Sequence, residues 1–289
     1  MFLKFDSYFL KPESAGILHL YNGTFDKSDN VITRDRMIDA SLVGNGQREH
    51  MDTAMWTEEG DITVLKFTTG KAGTWVAGLS TKARNIELGA DDFNDYLEHD
   101  GVLDVLENRK KEGTIDDDAV EKYSKHVKAV FQVGEAKSDD WKTQLGYPIE
   151  FIPESNPYEL KGGGELKFKL FRDGRPLGNQ LVWAGFAGSG HTHETNEDGE
   201  EVAHHHDERK MRTDENGVVS VNIDHGGHWY IRTIHMVTLE DEELTHESNW
   251  ATLTFEVPGD VHLHRGIPGI VFWIGGLVLV IGLLVFFKR

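Results

Sequence analysis

Cysteine is absent from this chain of 289 residues, and its absence excludes several kinds of chemistry. Without it there are no disulfide bonds, no zinc–thiolate sites and no cysteine nucleophiles. A transition metal must therefore be held by imidazole nitrogen and carboxylate oxygen, and the sequence offers 15 histidines for this purpose. The compartment stays open, because a chain without cysteine suits oxidising and reducing surroundings equally.

Basic side chains are scarce. Lys and Arg total 30 against 49 Asp and Glu, which gives a formal net charge of −19 at pH 7. Such a surface repels phosphate backbones unless a local basic patch exists. The run Arg109, Lys110 and Lys111 lies among carboxylates, so we expect no nucleic-acid partner. The composition, 38% hydrophobic and 27% charged, is otherwise typical of folded protein and leaves room for one large or two ordinary domains.

One long segment carries no charge at all. Residues 267–287 read IPGIVFWIGGLVLVIGLLVFF, which as a helix would span roughly 30 Å, the thickness of a bilayer's hydrocarbon core. This predicts one transmembrane helix rather than a buried core helix. Lys288 and Arg289 follow it and weakly favour a cytoplasmic C-terminus. The first residues lack the features of an export signal, so two alternatives stay open: a start upstream of Met1, or a tail-anchored protein with a cytosolic domain.

The first half of the chain is predicted to be β-rich with a helical insert. Segments 61–67 and 73–79 alternate apolar with polar or small residues, which is typical of strands. Two helical segments are predicted within about 90–131. The first covers about 90–107, and the second begins at Thr114 and places an apolar stripe at helical spacing. The proline-bearing segment 148–157 is the best domain boundary, so we predict an N-terminal domain over 1–147.

The second half reads as a series of short strands. Alternation predicts them in the following segments: 165–171, 180–183, 217–223, 229–236 and 250–257. Short alternating strands with turns at this spacing indicate an immunoglobulin-like sandwich of roughly 100 residues, here over 148–258.

A loop rich in histidine and carboxylate, 191–206, is the main candidate site. It contains five histidines, His191, His193, His204, His205 and His206, with Glu and Asp between them. An H-x-H pair in extended backbone points both imidazoles to one side. Divalent nickel, copper, cobalt and zinc accept imidazole nitrogen, so the pattern predicts metal binding. The alternative is a solvated loop whose polar composition serves only solubility.

A second histidine group follows at His225 and His228, on either side of two turn-forming glycines. They are further candidate ligands, facing each other across the turn. The alternative is a structural role. For His235, on a strand face shared with Trp229 and Ile231, we predict a partly buried, hydrogen-bonded histidine.

Catalytic signatures are missing. There is no H-E-x-x-H and no G-x-S-x-G motif, and the glycine run 162–164 precedes a strand rather than a helix. The prediction is a protein that is not an enzyme, with no catalytic residue and no organic cofactor.

Nine segments along the chain together resemble one family. They are FLKFDSYFLKPE (2–13), YNGTF (21–25), FNDYL (93–97), YSKHVK (123–128), LGYPIEFIP (145–153), NPYEL (156–160), RTDENG (212–217), WYIRTIHM (229–236) and SNWATLTF (248–255). The family is a group of bacterial periplasmic proteins of unknown function, often labelled as periplasmic components of nickel or cobalt transport. The RTDENG segment also resembles a turn of carboxypeptidase-regulatory-like sandwiches.

The resemblance implies an exported protein whose signal peptide lies upstream of Met1. It places the large domain in the periplasm and the C-terminus in the cytoplasm. With it, the predicted fold class is mainly β: two β-sandwich domains, immunoglobulin-like or prealbumin-like, a short helical insert and one C-terminal transmembrane helix. The implied function is binding of a divalent transition metal in support of nickel or cobalt uptake. The alternative is a non-catalytic accessory subunit of a larger membrane complex, docked through its helix.

Overall fold

The computed structural model describes residues 1–160, 163–187, 191–195, 201–205, 208–241 and 243–259, with the backbone alone described in 191–195 and 201–205. Within these residues no helix is long and apolar enough to cross a bilayer. The predicted transmembrane segment 267–287 lies outside the described residues.

The described chain is mainly β. Its strands are β1 Phe2–Lys4, β2 Phe9–Leu10, β3 Ala15–Tyr21, β4 Met37–Gly44, β5 Gln47–His50, β6 Trp56–Glu59, β7 Ile62–Thr68, β8 Gly73–Thr81, β9 Arg84–Leu88, β10 Ala119–Val133, β11 Ile149–Pro153, β12 Gly164–Arg172, β13 Arg175–Pro176, β14 Leu181–Phe186, β15 His191–Thr195, β16 Glu201–His205, β17 Arg209–Arg212, β18 Val218–Ile223, β19 Gly227–Thr238 and β20 His246–Val257. Two α-helices, α1 Ala90–His99 and α2 Leu103–Glu112, lie between β9 and β10. The short 3₁₀ helices are Arg34–Arg36, Thr53–Met55, Asp139–Lys142 and Pro157–Glu159.

One large sheet runs through the molecule in the order β17-β14-β19-β20-β10-β8-β4-β5, and β2 and β9 also pair with β10. At its centre β10 is antiparallel to β8 and parallel to β20, with Glu121 opposite His246 and Ala129 opposite Thr254. Two four-stranded sheets accompany it, one of β1, β3, β7 and β6 and the other of β11, β12, β13 and β18. Because β10 pairs with β20, the large sheet continues across the boundary predicted at residue 148. The division into two domains stays a prediction.

A single hydrophobic cluster joins these three sheets, with Leu18, Phe131 and Phe168 among its buried members. The rings of Phe5 and Phe131 approach to 4.7 Å, and those of Phe168 and Phe255 to 5.5 Å. A second cluster packs Phe93 and Leu97 of α1 against Ile234 and Met236 of β19. The two helices therefore cover part of the large sheet.

The second predicted helix is wrong. The segment from Thr114 to Phe131 contains no helix, and β10 occupies Ala119–Val133 instead. Every residue from His126 to Val133 is buried, because neighbouring strands flank its edges and packed side chains cover both of its faces. A strand buried on both faces loses its alternation and mimics a helical stripe. The first predicted helix is confirmed, although it divides into α1 and α2 at Gly101, whose φ of +76° favours glycine.

Candidate metal centre and a polar cleft

The histidine-rich segment forms a two-stranded ladder in the described backbone. Strands β15 and β16 are antiparallel, with His191 opposite His205 and Thr192 opposite His204. The Cα atoms of opposite residues in such a ladder lie only about 4.5–5.5 Å apart. The register therefore places His191 and His205 in one pair, with His193 two residues along β15. The side chains of this hairpin, and all of His206, lie outside the described residues.

The hairpin connects two neighbouring strands of the large sheet. It follows β14, which ends at Phe186, and precedes β17, which begins at Arg209. Phe186 pairs with Trp229 at the start of β19, and the Ala187 N–H donates to the His228 carbonyl at 2.9 Å. The hairpin therefore leaves the sheet beside His225 and beside His228 at the start of β19.

His225, which lies where the hairpin leaves the sheet, is hydrogen-bonded to a carboxylate. Its Nδ1 lies 2.7 Å from Asp224 Oδ1, and its ring centroid is 4.2 Å from that of Phe186. The other oxygen of Asp224 accepts a hydrogen bond from Arg209 at 2.6 Å. Burial opposes ionisation of Asp224, but the contacts with His225 and Arg209 prevail and lower its pKa. With Nδ1 engaged, His225 would bind a metal through Nε2, in the carboxylate–histidine arrangement common at metal sites.

His228 has a different carboxylate partner. Its Nε2 lies 3.5 Å from Glu256 Oε2, which also accepts the Tyr8 N–H at 2.8 Å. Burial opposes ionisation of Glu256, yet the contacts with His228 and Tyr8 outweigh it and lower its pKa. This ring would offer Nδ1 to a ligand.

Among the side chains that the structure describes, no three of His, Cys, Asp or Glu form a group that would hold a metal. A centre built from His191, His193, His204, His205 and His206 with His225 and His228 thus stays a prediction. The expected structural role of His235 is confirmed: it is partly buried and its Nδ1 lies 2.9 Å from Gln180 Oε1.

Sequence patterns did not indicate a second feature, a cleft of about 780 Å³ on the large sheet beside the 145–148 loop. We call it the polar cleft. One of its two hydrogen-bonded centres is Asp39, whose carboxylate accepts from Tyr147 Oη at 2.6 Å and from Arg48 at 2.9 Å. Nδ1 of His50 lies 2.9 Å from the same carboxylate.

The other centre is His126, a buried histidine on β10. Its Nδ1 lies 2.9 Å from Ser80 Oγ. Its Nε2 lies 3.1 Å from Ser124 Oγ and 3.3 Å from Asn249 Oδ1. Burial lowers the pKa of His126 to about 4, so the ring is neutral at physiological pH. A neutral imidazole has one donor and one acceptor, which matches a ring placed between hydroxyl and amide groups.

A family model described as "Domain of unknown function (DUF4198)" matches residues 6–237 of the chain. No curated protein matches it.

Similarity to solved structures is low. Dimeric latent PorU from Porphyromonas gingivalis has 11% identity and a TM-score of 0.21, over 86% of this chain and 19% of that one. The D0-D1 domain of Intimin has 10% identity and a TM-score of 0.21, over 88% of this chain and 96% of that one. A Salmonella alpha-2-macroglobulin mutant has 11% identity and a TM-score of 0.23, over 87% of this chain and 14% of that one. The chain thus spans about a fifth of PorU and a seventh of the macroglobulin.

Proposed function

This chain belongs to the DUF4198 family, and from that premise we propose that it binds a divalent transition metal through its histidine-rich hairpin. The observation that carries the proposal is the register of β15 and β16, which sets His191 opposite His205, with His193 two residues along β15; positions two apart share one face of a strand. Several imidazoles on neighbouring backbone positions can meet the demand of nickel, cobalt, copper or zinc for nitrogen ligands.

The turn beside the hairpin supports the same function. His225 and His228 each have one ring nitrogen beside a carboxylate, that of Asp224 or Glu256. Carboxylates in this position fix a ring's orientation and strengthen it as a metal ligand. The formal charge of −19 also raises the local concentration of cations around the chain.

The proposal places the large domain in the periplasm, where it assists nickel or cobalt uptake without catalysing a reaction. Residues 267–287 anchor it, with the C-terminus in the cytoplasm. Its β-rich body is proposed to comprise two sandwich domains of the immunoglobulin-like or prealbumin-like kind. The placement rests on the apolar sequence and on the family resemblance. The second candidate is an accessory subunit of a membrane complex, docked through that helix, in which the hairpin has no metal.

The test is calorimetric titration of the full chain in mild detergent with nickel, cobalt, copper and zinc. The hairpin variant carries Ala at His191, His193, His204, His205 and His206. The control variant carries Ala at His19, His50 and His99, which lie elsewhere. We expect stoichiometric binding with a Kd on the order of 1 µM or tighter, lost in the hairpin variant and kept in the control.

Two further titrations examine the ligands themselves. Asp224→Asn should weaken binding by a factor of about 10 if His225 contributes to the site. Imidazole must be neutral to bind a metal, so affinity should fall as the pH drops through about 6.5. Equal, weak binding by the wild-type chain and the hairpin variant would refute metal capture and favour the accessory subunit.

A further inference from the structure

The polar cleft is built from groups that donate and accept hydrogen bonds at once. Ser80, His126, Ser124 and Asn249 form one connected chain in which Ser124 Oγ donates to Asn249 Oδ1 at 3.0 Å. Ser80, His126 and Asn249 are 5% exposed or less. Hydroxyl and amide groups of this kind complement a ligand whose own groups both donate and accept.

The charged groups of the cleft already have partners. Arg48 bonds Asp39 and the Leu145 carbonyl, both at 2.9 Å. Arg172 bonds Asp173 at 2.8 Å and the Pro148 carbonyl at 3.1 Å.

Lys122 lies 3.5 Å from Glu247 and completes the pairing. Three cations thus face three carboxylates, so the cleft has no excess charge of either sign from these groups. An ionic ligand would have to break one of these pairs, whereas an uncharged ligand would not.

The cleft also has apolar surface. The partly exposed Pro148 and Ile38, which has 64% of its surface exposed, supply it, and the buried Leu145 and Tyr147 lie beneath. A volume of about 780 Å³ accommodates a small organic molecule. Sugars combine many hydroxyls, which donate and accept, with apolar ring faces and no charge.

We propose that the polar cleft binds an uncharged sugar, either free or at the end of a glycan. The ligand's hydroxyls meet the partly exposed Ser124 Oγ of this hydrogen-bonded chain, and its apolar face lies against Ile38 and Pro148. The site shares no residue with the histidine-rich hairpin, so this inference goes beyond the proposed function and does not depend on it.

The test measures binding of four neutral sugars to the full chain in a sugar-free, non-ionic lipid bicelle, by NMR saturation transfer and titration. The sugars are glucose, galactose, mannose and the trisaccharide maltotriose. Glucuronate serves as the charged analogue. We expect an uncharged sugar to bind with a Kd on the order of 1 mM or below. Preference for a monosaccharide indicates a free sugar, and preference for maltotriose indicates a glycan.

Variants assign the binding to the cleft. Ser124→Ala removes one hydroxyl of the chain and should weaken binding about tenfold, since the partner group on the sugar loses its hydrogen bond. Asn249→Ala should act in the same direction. Ser220→Ala, on the exposed face of β18, is the matched control and should leave affinity unchanged. The proposal is overturned if none of the four neutral sugars binds, if glucuronate binds more tightly than they do, or if Ser124→Ala and Ser220→Ala behave alike.

Discussion

At the scale of single residues, we expect buried histidines to contribute to the acid sensitivity of this protein. His126 is 2% exposed, and its burial lowers its pKa to about 4 from an ordinary value of 6.5. The unfolded chain therefore binds a proton at a pH where the folded chain does not. The stability that depends on the neutral ring is complete above about pH 6.5 and is lost as the pH falls towards 4.

We expect His126→Gln to flatten this acid-side loss. One pKa unit corresponds to about 1.4 kcal/mol, so the group accounts for at most roughly 3.5 kcal/mol between these pH values. The measurement is urea unfolding of both proteins at a series of pH values. Burial also lowers the pKa of His246 to about 4. The variant therefore keeps the part of the pH dependence of stability that comes from His246.

Ser220→Ala, on the exposed face of β18, provides the control, because it changes no titratable group. Its pH profile should follow that of the wild type between pH 6.5 and 4. If His126→Gln instead parallels the wild type over this range, the ring does not control the acid response.

At the scale of elements, a buried ion pair ties β10 to β11. Lys128 Nζ lies 2.9 Å from Glu150 Oε2, with side-chain exposures of 1% and 4%. The backbone N–H groups of Leu145 and Gly146 donate to the same carboxylate, each at 2.9 Å. Removing only the cation leaves a buried carboxylate without its counter-charge, which is far more costly than losing an exposed pair.

Lys128→Met should therefore reduce the free energy of unfolding by about 3–5 kcal/mol. The double variant Lys128→Met/Glu150→Gln should recover part of this loss, because no unpaired charge remains. Lys66→Met, from a pair with Glu59 that is 65% and 49% exposed, should change stability by about 1 kcal/mol or less. Urea unfolding at pH 7 measures all three. A double variant no more stable than Lys128→Met would contradict this account.

Strands exposed on one face could be predicted from the sequence, and the strand buried on both faces could not. Segments 61–67, 165–171 and 217–223 alternate, and they appear as β7, β12 and β18. The core half of β10 has no alternation to detect. The polar cleft was also out of reach, because Asp39, His126 and Asn249 are brought together only by the pairing of distant strands.

The histidine candidates show the same limit. Local sequence placed His191 and His205 in one segment, and the β15–β16 register opposes them. Sequence spacing could not show that His225 and His228 have different carboxylate partners, since Glu256 lies in β20 and meets His228 only through the register of the β19–β20 ladder.

At the scale of the whole molecule, the sheet joins the two halves of the chain. The parallel pairing of β10 with β20 places residues 121–129 beside 246–254, and one hydrophobic cluster includes Val76 from the first half and Phe255 from the second. Strands that share a hydrogen-bonded ladder and a hydrophobic core are destabilised together when either is disrupted. We therefore expect residues 1–147 and 148–258 to unfold in one cooperative transition, rather than as two independent domains.

Phe255→Ala examines this coupling. Phe255 is 1% exposed and packs against Phe168, so truncation should cost about 3–5 kcal/mol. Native-state hydrogen exchange on the full chain in detergent should then show equal loss of protection in β8 and in β18, although Phe255 belongs to the second half. Val237→Ala, at a site 41% exposed, should change protection by no more than about 0.5 kcal/mol. A shared ladder would transmit the loss of protection to β8. If only amides after residue 148 lose protection, the halves therefore unfold independently, and the predicted two-domain division is the better description.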